Sequence, residues 1–94
     1  MMTTQAKQHY WQVVTDCLVE FHGLPHPAAR RKCGELRKEV ESRPTAMERN
    51  LFYHREAFDV ACALAGRQLD RAKRQPEYER ILFRGVQPPN EAAG

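Results

Sequence analysis

Apolar residues recur at intervals of three and four along most of the chain, which is the repeat of an amphipathic α-helix rather than the alternation of a strand. In the first such segment, about Thr4 to Phe21, the residues Tyr10, Val13, Val14, Cys17, Leu18 and Phe21 fall on one face. Trp11 lies beside that stripe, where its indole extends the core or sits at the rim with its N–H reaching a partner. His22-Gly23 ends the helix: Gly23 accepts the left-handed cap conformation, Leu24 is placed for a Schellman contact, and Pro25 forbids continuation.

A second helix is predicted from Pro27, with His26 as its N-cap and Ala29, Cys33, Leu36 and Val40 as its apolar stripe. Its other face carries the i,i+4 pairs Arg31/Glu35, Arg37/Glu41 and Glu39/Arg43. Gly34 is costly in a helix interior unless a neighbouring helix approaches it closely. After Ser42-Arg43-Pro44, Thr45-Ala46-Met47-Glu48 reads as a capping box. The helix it opens carries Met47, Leu51, His54, Phe58, Ala61, Cys62, Ala65 and Leu69 on one stripe, with Gly66 as the one breaker before Pro76. Some 29 residues at about 1.5 Å each would reach roughly 43 Å, longer than the roughly 34 Å span of a compact domain of this size. The predicted helix must bend or project.

Pro76 opens a short last helix, Glu77 to Arg84, with Gly85 as its stop, and the tail over residues 86–94 has no periodicity and is expected to be disordered. The predicted fold is therefore all-α: a small helical bundle of three main helices plus a short C-terminal helix, forming one domain over residues 1–85.

A chain of 94 residues buries only about 60–65% of its unfolded surface, which excludes a deep cleft between domains. The net charge of +3 is small and its acids are interspersed with its bases, so basicity alone does not imply nucleic acid. No segment has the apolar length of a membrane helix, the N-terminus lacks the apolar core of a secretion signal, and the three cysteines form no Cys-x-x-Cys pair. The expected location is the cytoplasm.

Candidate chemistry is sparse. His22 and His26 flank a turn that could aim both rings at one point, and His54 with Glu56 or Asp59 could complete a His/carboxylate metal site. The plainer reading places His22 at a helix C-terminus, His26 at a cap and His54 in a hydrogen-bonded core position. Cys17, Cys33 and Cys62 fall in phase with the apolar stripes and read as buried small hydrophobes. Basic residues cluster at Arg30, Arg31 and Lys32 with Arg37 and Lys38, and again at Arg67, Arg71, Lys73 and Arg74, but Glu35, Glu39 and Glu41 beside the first cluster would repel phosphates. Phe52, Tyr53 and Val60 lie well away from Leu51 and Phe58 on a straight helix, which predicts an apolar patch for a second copy or another protein. The resulting expectation is a protein that acts by association, as a homodimer. A nucleic-acid-binding module and a small metal-dependent enzyme are the alternatives, and no cofactor is implied.

Overall fold

A computed structural model describes residues 2–84, and the predicted Gly85 stop and C-terminal tail lie outside that range. The described chain is all-α: α1 (Thr4–His22), α2 (His26–Glu41), α3 (Ala46–Phe52), α4 (Ala57–Ala65), a 3-10 turn (Ala72–Arg74) and α5 (Gln75–Phe83). No helix among the described residues is long and apolar enough to cross a membrane.

The boundaries that local chemistry dictates fall where expected. Thr3 caps α1, its hydroxyl accepting from the Ala6 N–H at 3.0 Å. Gly23 takes φ 70°, its N–H donates to the Val19 carbonyl at 3.1 Å, and the Leu24 N–H reaches back to Leu18 at 3.2 Å. Thr45 caps α3 through the Glu48 N–H at 3.1 Å. One cap shifts by a residue: Pro25 occupies the N-cap of α2, and His26 is already its first helical residue.

The long third helix is not formed. After Phe52 the bonds tighten, with the N–H groups of Tyr53, His54 and Arg55 donating to carbonyls three residues back, and Glu56 turns to extended backbone before α4 begins. Gly66 then closes α4 at φ 69°, where it acts as a terminator rather than as a tolerated interior glycine. Packing explains the break. Phe52 and Tyr53 are neighbours in sequence and both bury against Tyr10 and Trp11 of α1, while Phe58, Val60, Ala61 and Cys62 are buried farther along. At 100° per residue a straight helix cannot turn all six toward one core. A corner at 53–56 can.

The core centres on α1, which packs against α2, α4 and α5. Val14, Cys17 and Leu18 are fully enclosed, as are Ala29, Val40, Phe58, Val60 and Ala61 from the surrounding helices. The molecule measures 45 × 30 × 25 Å.

Candidate functional site

The residues expected to form an interface are core residues. Phe52 is 5%, Tyr53 9% and Val60 0% exposed, so the apolar breadth that suggested an uncovered patch is absorbed by the corner between α3 and α4. The Trp11 indole N–H donates to the Tyr53 hydroxyl at 3.1 Å, and that hydroxyl donates to a Glu41 carboxylate oxygen at 2.7 Å. The Lys7 ammonium holds the other oxygen at 3.3 Å and stands over the Tyr53 ring. The i,i+4 partnership expected between Arg37 and Glu41 is displaced by this network. The pairing of Glu39 with Arg43 is present, at 3.1 Å.

The candidate metal ligands are scattered. His26 is exposed at the start of α2, and His54, expected on an apolar stripe, is exposed in the turn because the chain leaves the helix there. Glu56 accepts from the Tyr78 hydroxyl at 2.9 Å, while Asp59 faces Arg71 at 3.4 Å. Both ring nitrogens of His22 are buried with no hydrogen-bond partner. Burial, with Arg67 and Arg74 nearby, lowers its pKa and keeps the ring neutral. Among the described residues, no three His, Cys, Asp or Glu side chains stand together as a metal site.

Cys17, Cys33 and Cys62 are free and buried. Burial lifts the Cys17 thiol to about 12 and also raises that of Cys33, which disfavours the thiolate needed of a nucleophile. The second basic cluster is partly engaged: Arg71 faces both Glu56 and Asp59, and the Arg74 guanidinium lies over the Phe21 ring, while Arg67 and Lys73 are exposed. Arg30, Arg31 and Lys32 are all exposed on α2.

Two concavities are walled in part by α1. A largely apolar cleft of about 360 Å³ lies between the first half of α1, the 53–57 corner and α5, with Tyr10, Val13, Ala57, Tyr78 and Leu82 in its lining. His9 and the tyrosines Tyr10 and Tyr78 in its lining are held in structural bonds. His9 Nε2 lies 2.9 Å from the Leu82 carbonyl, and the Tyr10 hydroxyl donates to the Arg55 carbonyl at 3.0 Å. The Tyr78 hydroxyl accepts from the Phe58 N–H at 3.3 Å while donating to Glu56. Burial raises both the Tyr10 and Tyr78 pKa values, so these phenols stay protonated.

The second concavity, about 320 Å³, is a groove between α1 and α2. Trp11, Thr15 and Cys33 line it, Gln8 and Gln12 flank it on α1, and Arg30 and Arg37 stand along it on α2 with Gly34 between them. Sequence reasoning grouped Arg30 and Arg37 in one basic cluster, but it missed the groove because two helices make it jointly. That cluster and the interior Gly34 were the signals available.

The chain matches no protein-family model, no curated protein and no solved structure with which it was compared.

Proposed function

We propose that the protein works by association, as a homodimer, through the outer face of α3. The observation that carries this reading is the exposure of Met47 (72%) and Leu51 (58%), large apolar side chains one helical turn apart on the same face. Phe52 and Tyr53, the large apolar residues that follow, are drawn inward. This pair replaces Phe52, Tyr53 and Val60 as the contact surface. A two-fold contact is the default for a self-complementary apolar face, because each copy supplies the same pair. The tyrosines of the apolar cleft and the buried thiols are committed to packing and hydrogen bonding, which favours association over catalysis.

Sedimentation equilibrium over micromolar concentrations tests the reading. The expected result is a dimer for the native chain and a folded monomer for Met47→Asp/Leu51→Asp. A strictly monomeric native chain, with a melting temperature independent of concentration, overturns it.

A further inference from the structure

Gly34 sits inside a sixteen-residue helix with nothing to explain it within the chain. A Cβ built there meets no atom within 4 Å, so no neighbouring helix needs the space, and its backbone is an ordinary helical one that any residue adopts. Glycine at such a position costs about 1 kcal/mol against alanine. What it provides is a dip in the wall of the α1–α2 groove.

The charges around the dip share one sign. Arg30 and Arg37 lie seven residues apart, two turns or about 10.5 Å along the helix, and so project on the same side above and below Gly34. Among the described residues neither arginine has an ion-pair partner. The acids that could have answered them are taken. Glu41, one turn beyond Arg37, is bound by Tyr53 and Lys7, and Asp16 on α1 is held by Arg84 at 3.4 Å. The opposite wall offers the neutral amides of Gln8 and Gln12.

We propose that this groove docks an acidic helix of another protein, with two carboxylates seven residues apart meeting Arg30 and Arg37 and a small residue midway lying over Gly34. The dimensions support a helix: the walls run from residue 8 to 15 on α1 and from 30 to 37 on α2, each about 10.5 Å long, which matches the two-turn repeat of a helix laid between them. A second copy of this chain does not meet the requirement. Among the described residues none of the five helices carries two acids seven apart, since the acids are at 16 and 20 in α1, at 35, 39 and 41 in α2, at 48 in α3, at 59 in α4, and at 77 and 79 in α5. A nucleic-acid backbone is disfavoured because only two cations line the groove, and Arg31 and Lys32 face away from it beside Glu35 and Glu39. This surface is separate from the α3 face, and neither proposal depends on the other.

The test uses the full chain and fluorescently labelled, alanine-rich helical peptides carrying two glutamates either seven or five residues apart, read by anisotropy at low salt. The seven-residue spacing is expected to bind about tenfold more tightly. Arg30→Ala/Arg37→Ala should abolish that preference. Gly34→Leu should fill the dip and block binding while leaving a cooperative melt, because its side chain enters open space. Equal affinity for the two spacings, no binding of either, or undiminished binding to Gly34→Leu overturns the proposal. So does a labelled DNA duplex that depends on both arginines and displaces the peptide, since the groove would then be a phosphate surface.

Discussion

The two ends of α1 treat buried polarity in opposite ways. Toward its start, the Trp11 indole, the Tyr53 hydroxyl, the Glu41 carboxylate and the Lys7 ammonium form one continuous run of hydrogen bonds linking α1, α2 and the α3–α4 corner. At its finish, His22 places both nitrogens out of water with no partner for either. Between them lies an apolar stretch that carries most of the packing. A hydroxyl facing a carboxylate turns burial into specificity, because it fixes which rings meet. A ring with no partner incurs the cost of burial and returns only its contacts. The start of α1 is therefore the specified end, and the finish has stability to gain.

The apolar stretch sets the scale for both ends. Phe58 is fully buried against Phe21 and Tyr78, with ring centroids 5.2 and 5.5 Å away. Phe58→Ala is expected to cost about 3–5 kcal/mol, enough to unfold much of the population of a domain this small, as read by urea denaturation. A loss below about 1 kcal/mol would mean that α4 does not seat on α1 as described.

How far this architecture could be read from the chain depended on the range of the cause. Gly23-Leu24 and Thr45 act within a few residues, so their caps follow from the local sequence alone. The break at 53–56 has no proline or glycine; it arises because Phe52 and Tyr53 both find room against Tyr10 and Trp11, some forty residues away. The breadth of the apolar surface was visible, but on a straight helix it reads as a patch awaiting a partner. Glu41 went to Tyr53 rather than Arg37 for the same reason. The groove containing Arg30, Gly34 and Arg37 depends on which face of α2 meets α1, and one sequence leaves that open.

The specified end can be broken at its centre. Tyr53→Phe keeps the ring packing but removes the oxygen that accepts from Trp11 and donates to Glu41, stranding a buried indole N–H. A loss of about 1–3 kcal/mol is expected. Trp11→Phe should cost less when made on top of Tyr53→Phe than when made alone, which a double-mutant cycle measures. Full additivity would show that the run of bonds is not one unit. The Tyr53 bond, helped by Lys7, also holds the Glu41 carboxyl below its ordinary value of 4.5. Its share of stability is therefore complete above that pH and is lost as pH falls through the lower, folded value. Carboxyl titration by NMR should find the depression in the native protein and a smaller one in Tyr53→Phe.

The other end should improve when its polarity is removed. His22→Leu keeps apolar contact and discards two orphaned nitrogens, so a gain of about 1 kcal/mol is expected. The pH dependence sharpens the comparison. Burial and the nearby Arg67 and Arg74 lower the His22 pKa below its ordinary 6.5, so the unfolded chain takes up a proton before the native one does. Stability from this group is thus fully present above about pH 6.5 and declines as pH falls toward the folded value. His22→Leu should remove that part of the decline, and its advantage in melting temperature should widen from pH 7 to pH 5. An advantage that shrinks with acid would mean that the imidazolium is stabilised in the fold.

Gly34 gives the smallest effect, because it tests a position that neither end of α1 needs. Its neighbourhood is open and its backbone ordinary, so Gly34→Ala adds a methyl group that strikes nothing and restricts the unfolded chain. The expected gain is about 0.4–1 kcal/mol, read as a rise of a few degrees in melting temperature. Gly23→Ala, at φ +70°, carries the same change in composition into the left-handed region and should lower stability by about 1 kcal/mol or more. Opposite signs at the two glycines would separate a residue kept for the fold's geometry from one kept at the expense of stability. A loss at Gly34 would place an unseen close contact at that helix face and return the glycine to the service of the fold.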